Sequence, residues 1–252
     1  MGKVLEVRRV VEAVEMEEGA GATVRRVFPT DRLRHVDPFV LLDEFTVAPS
    51  AAFPEHPHGG FEAVTYMLGG AFRHRDDLGN DETVSAGGVQ RFTAGKRIVH
   101  SELPGSDETS HGLQLWVNLP RELKDTEPTY QPVPASEIPE TMEGETRFRT
   151  VVGEAPAGKV SPVELRTDVV YLDVDLPPGG GFEHPIPSGW SGLIYVLEGE
   201  VRVGERSTGR GEAALFEGGG RLVLGADGGA RAAIIAGRPH EQPIRQRGSF
   251  VD

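Results

Sequence analysis

Three short blocks of sequence occur twice in the chain, in the same order along each half. Glu55-His56-Pro57 recurs as Glu183-His184-Pro185, and residues 66–70 recur as residues 195–199. Further on, GGVQRFTAGKRIVHSE (87–102) aligns without a gap on GEAALFEGGGRLVLGA (211–226). Ordered repetition of this kind indicates duplication of one structural unit. The chain is therefore expected to contain two similar halves.

The repeated unit has the sequence pattern of β-structure. Short apolar or alternating runs, bounded by Gly, Pro or Asp, are typical of strands. Such runs lie at residues 63–68, 112–119, 169–176, 193–197 and 232–236. Glycine and proline contribute 33 and 19 of the 252 residues, which favours many tight turns over a helical bundle. We predict an all-β fold with few short helices, the best helical candidate being residues 120–125.

A segment rich in proline and acidic residues separates the two halves. Residues 132–148 (PVPASEIPETMEGETRF) have the composition of a connector. We therefore expect an N-terminal metal-binding domain at residues 1–131, a linker at 132–148, and a C-terminal domain with a degenerate, metal-free site at 149–252.

Charge and composition exclude several classes of protein. Thirty-nine acidic and 26 basic residues give a net charge of −13, which argues against direct binding to nucleic acid. The absence of cysteine excludes disulfides, thiolate zinc sites and a cysteine nucleophile. The first residues do not form a signal-peptide core, and no apolar run is long enough to span a membrane. A cytoplasmic protein without a membrane partner is expected.

Two pairs of metal-ligating residue types lie in the first half. His56 and His58 are two residues apart, and so are His100 and Glu102. Residues at i and i+2 of a strand face the same side, so two strands can direct both pairs at one point inside a barrel. Three imidazoles and a carboxylate suit Fe, Ni, Cu, Mn or Zn. If the strand after His58 is unbroken, Glu62 faces the same way, as a ligand, an outer partner or a rim carboxylate.

The second half has lost most of these residues. At the matched positions, Ile186 replaces His58, Leu224 replaces His100 and Ala226 replaces Glu102, whereas His184 is retained. Apolar side chains are what a barrel interior without a metal requires. We therefore predict one divalent metal per chain, bound by the first half. His74, which lies in a charged segment, is expected to be solvated.

Five ordered motifs give the chain a specific resemblance. They are DPFVLLDEF (37–45), HPHGGFEAVTYMLGG (56–70), HRDDLGN (74–80), FTAGKRIVHSE (92–102) and GLQLWVNLP (112–120). With these motifs the chain resembles the pirin family of the cupin superfamily. The resemblance implies a bicupin: two stacked cupin-type β-barrels with one metal, usually iron and here expected as Fe(II), in the N-terminal barrel. It assigns the ligands to His56, His58, His100 and Glu102, and so favours Glu102 over Glu62.

Two functions follow from the resemblance. The first is a mononuclear metal-dependent dioxygenase, an oxidoreductase of the quercetin 2,3-dioxygenase type, whose partners would be O₂ and a small aromatic flavonol. In this enzyme Glu102 or Glu62 would assist deprotonation of the substrate. The alternative is a non-enzymatic, metal-dependent regulator that recognises another protein. Gly59, Arg91 and Phe92 depart from the family pattern beside the ligands, where they can alter the size and charge of the pocket.

Overall fold

The computed structural model describes residues 3–155 and 158–252. Their regular structure is almost entirely β, and every pairing between the strands below is antiparallel. A 3-10 turn at Arg121–Leu123 lies within the predicted helical segment 120–125. Within the described ranges, no helix is long and apolar enough to cross a membrane.

The strands are numbered in chain order. The first twelve are β1 (Arg9–Glu12), β2 (Val14–Glu18), β3 (Ala22–Phe28), β4 (Phe39–Val47), β5 (Phe53–His58), β6 (Phe61–Gly69), β7 (Ala71–Asp76), β8 (Asp81–Ser85), β9 (Val89–Thr93), β10 (Ile98–Pro104), β11 (Ser110–Asn118) and β12 (Thr129–Val133). The others are β13 (Glu140–Glu143), β14 (Thr146–Val152), β15 (Val169–Leu176), β16 (Gly180–Ile186), β17 (Ser191–Val203), β18 (Arg206–Gly209), β19 (Glu212–Glu217), β20 (Gly220–Ala226), β21 (Ala230–Gly237), β22 (Gln246–Arg247) and β23 (Phe250–Val251).

The strands confirm the sequence pattern. Four of the five predicted runs coincide with one strand to within two residues, β6, β11, β15 and β21, and the fifth, 193–197, lies inside the longer strand β17. The predicted all-β class is confirmed. Alternating burial is clear in β10, where Ile98, His100 and Glu102 face inward, and in β16, where Phe182, His184 and Ile186 do so.

The first domain comprises Val14–Ile138 together with His240–Asp252. A seven-stranded sheet has the order β12-β9-β6-β11-β4-β3-β2, and a four-stranded sheet has the order β5-β10-β7-β8. The hairpin β22–β23 completes the domain. Because β10 lies between β5 and β7, side chains from these three strands are brought together on one sheet.

The second domain comprises Met1–Ala13 and Pro139–Pro239. Its main strand order is β1-β19-β17-β21-β15-β14-β13, and β16 pairs with β20. Its core is aliphatic and aromatic, with Phe148, Phe182 and Phe216 buried among Leu, Ile, Val and Ala. Residues 132–148, expected as a linker, include β13 and the first residues of β14. The domain bounds drawn from the sequence remain a prediction.

Candidate metal centre

Strands β5 and β10 bring the two ligand pairs together. Their antiparallel register places His100 opposite His56 and Ile98 opposite His58. An irregularity between His100 and Glu102 shifts the register by one residue, yet both side chains stay buried. The two i, i+2 pairs of the sequence thus become neighbours across a strand pair.

Three imidazoles form a compact group. The ring centroids of His56, His58 and His100 are 4.5, 4.6 and 4.8 Å apart. One nitrogen from each ring lies within 4.8 Å of the others. The Nε2 atoms of His56 and His100 are 3.2 Å apart. Nitrogen atoms that converge at this spacing have the arrangement that a single metal ion requires.

The backbone orients two of these rings. Nδ1 of His56 donates to the carbonyl oxygen of Pro54 at 2.7 Å, and Nδ1 of His58 donates to that of Ser249 at 3.4 Å. A carbonyl oxygen can only accept, so Nδ1 carries the hydrogen in both rings. Their Nε2 atoms therefore keep the lone pair that binds a metal.

Glu102 is fully buried and held by two amides. Gln90 Nε2 donates to its Oε1 at 2.5 Å, and Gln114 Nε2 donates to its Oε2 at 3.1 Å. Both amides have fixed orientations, because the Tyr130 hydroxyl donates to Gln90 Oε1 and the Trp116 indole donates to Gln114 Oε1. Burial raises the pKa of Glu102 to about 7, although these two hydrogen bonds lower it.

Sequence reasoning missed the two glutamines. The signal available was one glutamine within each of two segments with a strand pattern, in VQRFT and in GLQLWVN. Such a residue has to find a partner when its strand is buried on both faces.

The donor set fits a first-row transition metal. Burial, followed by the nearby His56, lowers the pKa of His58 to about 3. Burial also holds the pKa of His100 well below its usual value. Both imidazoles are therefore neutral at physiological pH, the form that binds a metal. Imidazole nitrogen and carboxylate oxygen together suit iron, nickel, copper, manganese or zinc better than Ca²⁺ or Mg²⁺.

Glu102 lies beside only part of the histidine group. A second cluster, sharing His100, contains His74 and Glu102, with one potential ligand atom of each residue within 4.8 Å of the others. Glu102 nevertheless faces the same cavity as His56 and His58. Of the two carboxylates that the sequence offered, Glu102 is the one that lies in a cluster with His100 and lines this cavity.

Glu62 occupies a different position. The strand after His58 is interrupted by Gly59 and by Gly60, whose φ is +84°, so the unbroken strand required by the sequence argument does not form. Glu62 lies on β6, is buried, and accepts a hydrogen bond from Thr93 Oγ1 at 2.8 Å. Within the described residues it is not part of either ligand cluster.

The expectation that His74 is solvated is wrong. His74 is completely buried on β7, where its ring stacks on Tyr130 at a centroid distance of 4.1 Å. The reason is strand pairing: β7 lies next to β10 and places His74 opposite Glu102. The charged neighbours Arg73 and Arg75 alternate with His74 and point to the other face, where both bind Asp81.

A cavity of about 320 Å³ opens beside the metal centre. Its walls include His56, His58 and Glu102, together with the apolar rings of Phe45, Phe53 and Trp116. This size is at the lower end of the range for small-molecule pockets. The cavity thus combines aromatic rings with polar and charged side chains, which can fix the orientation of a bound small molecule.

The cation in this cavity is already neutralised. Arg26 forms a bidentate pair with the buried Asp43, at 2.9 and 2.7 Å, and also reaches Glu18 at 3.0 Å. Two carboxylates thus surround one guanidinium. The positive charge of Arg26 is already compensated by these two carboxylates. Arg26 is therefore poorly suited to bind an anionic substrate, and the histidine cluster is the place in this cavity where a substrate oxygen can be held.

The departures from the family pattern have structural explanations. A Cβ on Gly59 would lie 2.8 Å from a ring carbon of Phe250, so a side chain there would collide with hairpin β22–β23. Phe92 packs against the rings of His58 and His100. Arg91 is buried, donates to Thr93, Thr129 and Gln131, and does not line the cavity, so it does not add its charge to that pocket.

The second domain fills the corresponding interior with apolar side chains. Ile186, Leu224 and Ala226, predicted to replace the metal ligands, are all buried in its core. In the first domain His56 lies opposite His100, and the alignment of the two halves matches these residues with His184 and Leu224. The pairing of β16 with β20 instead places His184 opposite Leu222, two residues away. His184 is buried on the same face, and its Nδ1 has no partner among the described residues.

His184 makes stability depend on pH. Burial lowers its pKa to about 4 from 6.5, so the folded protein keeps the ring neutral while the unfolded chain protonates it. Stability is therefore complete above pH 6.5 and is lost as pH falls towards 4. We expect His184→Leu to remove about 2 kcal/mol of the stability loss between pH 8 and pH 5. Urea unfolding of metal-free protein at both pH values measures this.

The matched control is His35→Leu, since His35 is exposed in the folded protein. This substitution should leave the pH dependence as it is in the wild type. Equal losses of stability in His184→Leu and wild type would contradict the assignment.

The fold and the histidine cluster define a protein of two cupin domains with a candidate metal centre in one of them. The Pirin family model matches residues 21–117, and the model of the Pirin C-terminal cupin domain matches residues 171–252. The chain belongs to the pirin family.

Individual relatives agree with this assignment. A pirin-like protein of Solanum lycopersicum is 41% identical over 257 residues, covering 98% of this chain and 86% of the relative. Pirin of Homo sapiens is 40% identical over 258 residues, covering 100% of this chain and 89% of the relative. The solved structure of a quercetin 2,3-dioxygenase from Acinetobacter baumannii is 29% identical, with a TM-score of 0.91, and the match covers 99% of this chain and 92% of that one.

Proposed function

We propose that the protein is a mononuclear metal-dependent dioxygenase that acts on quercetin-like flavonols. The observation that carries this proposal is the convergence of three imidazoles at the wall of an aromatic-lined cavity. The similarity to a quercetin 2,3-dioxygenase supports the substrate class. The ligands in this proposal are His56, His58, His100 and Glu102, and the metal is Fe(II), with Ni, Cu, Mn or Zn as alternatives.

A metal held by these four residues would supply Lewis-acid chemistry at the wall of the cavity. The protein contributes position and proton transfer. Phe45, Phe53 and Trp116 provide apolar surface against which a flavonol ring can pack and from which water is excluded. Glu102 is the carboxylate of the proposed ligand set that lines this cavity, so in this proposal it assists deprotonation of a substrate hydroxyl.

The test is oxygen consumption with quercetin. Protein stripped with a chelator and reloaded with Fe(II), Ni(II), Cu(II) or Mn(II) should consume O₂ and bleach the visible absorption of quercetin faster than the same concentration of free metal. Metal-free protein and His56→Ala should have no rate above that background. His111→Ala is the matched control, because His111 is bound to Glu44 and does not line the cavity.

A rate no higher than that of free metal, in protein shown to contain one metal ion per chain, would reject the flavonol activity. The alternative, a metal-dependent protein-binding regulator, would then replace it.

A further inference from the structure

We propose that Asp76 and His74 are positioning residues that fix the tautomer of His100 and so direct its Nε2 lone pair to the metal. Asp76 Oδ2 lies 2.9 Å from His74 Nε2, and His74 Nδ1 lies 3.2 Å from His100 Nδ1. The three side chains form a continuous hydrogen-bonded chain that ends at the metal centre. This inference rests on the metal site and is independent of the reaction proposed for it.

His100 differs from the other two histidines in what its Nδ1 contacts. His56 and His58 face carbonyl oxygens, which accept hydrogen bonds and leave no choice of tautomer. His100 instead faces another imidazole nitrogen, which can donate or accept. His74 alone therefore does not decide which nitrogen of His100 carries the hydrogen.

Asp76 removes this ambiguity. An ionised carboxylate can only accept, so His74 must carry its hydrogen on Nε2. A neutral His74 then has a bare Nδ1, which accepts from His100 Nδ1–H. The remaining nitrogen of His100, Nε2, is left without a hydrogen and lies 3.2 Å from Nε2 of His56, at the centre of the cluster.

The surroundings hold Asp76 and His74 in these states. Oδ1 of Asp76 accepts from the backbone N–H groups of Leu78 and Asn80 and from the Asn80 side chain, at 3.0 to 3.1 Å. Although burial opposes ionisation, these bonds and that of His74 lower the pKa of Asp76. His74 has no exposed surface, and its two ring nitrogens contact Asp76 and His100. Stacking on Tyr130 fixes the plane of that ring.

Asp76→Asn should reverse the chain of hydrogen bonds. The backbone N–H groups of Leu78 and Asn80 require an oxygen at the Oδ1 position, so the new amide nitrogen must take the place of Oδ2 and turn away the Asn80 side chain, whose Nδ2 donates to Oδ2 at 2.9 Å in the wild type. It would donate to His74 Nε2, move the hydrogen of His74 to Nδ1, and force His100 to carry its hydrogen on Nε2. A ligand with a hydrogen on the coordinating nitrogen cannot bind the metal.

The first measurement is Ni(II) affinity, obtained by competition with a chelator. We expect Asp76→Asn to weaken binding by about 10–100-fold. Asp77→Asn is the matched control: it removes the same charge one residue along, while its Oδ1 still accepts from the N–H of Val99. This control should bind Ni(II) like the wild type. Equal affinity of Asp76→Asn and wild type would overturn the proposal.

A second variant separates positioning from simple support of the fold. His74→Leu removes a buried ring and is expected to destabilise the domain more than the nearly isosteric Asp76→Asn. In His74→Leu, His100 can adopt either tautomer. We therefore expect His74→Leu to lose less Ni(II) affinity than Asp76→Asn does. If His74→Leu binds Ni(II) more weakly than Asp76→Asn, the residues only support the fold and the proposal fails.

The tautomer itself can be observed. Nitrogen NMR of metal-free protein labelled at histidine should show a hydrogen on Nδ1 of His100 in the wild type and on Nε2 in Asp76→Asn. The same tautomer in both proteins would contradict the mechanism. Binding of two Ni(II) ions per chain, lost together with His74, would make His74 a ligand of its own site and would also overturn it.

Discussion

His58→Ala is expected to lose nearly all bound metal, whereas His184→Ala should keep one metal ion per chain. The two histidines form a matched pair, since both are buried and both belong to the repeated region: His58 directly follows the first Glu-His-Pro block, and His184 lies within the second. His58 is surrounded by His56 and His100, with ring centroids 4.5 and 4.8 Å away. His184 has Phe182 and an aliphatic core as neighbours.

We expect His58→Ala to lower the metal affinity more than any substitution outside the ligand set does. Loss of a residue that merely supports a ligand costs about 10–100-fold in metal affinity, and loss of the ligand itself should exceed this. Elemental analysis of natively purified protein gives the metal content, and thermal unfolding confirms that both variants are folded. Two metal ions per chain in the wild type, or metal loss in His184→Ala, would contradict a single site in the first domain.

The sequence was sufficient to predict the architecture because its signals are local. Gly, Pro or Asp lies at the ends of the apolar runs that form strands, and alternation with a period of two marks the buried face. The repeated blocks indicate the duplication. The same logic places His56 and His58 on one face of β5, because i, i+2 spacing on a strand is preserved whatever the strand pairs with, whereas their contact with His100 depends on the pairing of β5 with β10. The predicted interior replacements, Ile186 and Leu224, are buried for the same reason.

What the sequence could not supply is which strands become neighbours. The charged neighbours of His74 in the sequence predict a solvated side chain, and only the pairing of β7 with β10 explains why it is buried. The acceptor for His58 is the carbonyl of Ser249, which is 191 residues away in the chain. Arg91 has an equally non-local environment, between Thr93 on its own strand and Thr129 and Gln131 on β12. None of these contacts has a periodic signature.

Glu102→Gln is expected to weaken metal binding by at least the same 10–100-fold, while Glu62→Gln should retain the metal. An amide is a poorer ligand than a carboxylate, and in this site it also introduces a conflict. Both oxygens of Glu102 accept from amides whose orientations are fixed by Tyr130 and Trp116. One of these donors would therefore face the new NH₂ group, so that a buried hydrogen bond is lost as well.

Glu62→Gln is the matched control because it makes the same substitution at a carboxylate that is buried to the same degree. There the amide oxygen can still accept from Thr93 Oγ1, which now donates to the carboxylate at 2.8 Å. Ni(II) affinity of the two variants, measured side by side with their thermal stability, separates loss of a ligand from loss of folding. If Glu62→Gln loses the metal and Glu102→Gln keeps it, the carboxylate ligand is Glu62, and the hydrogen bonds around Glu102 serve only to bury a charge beside His100.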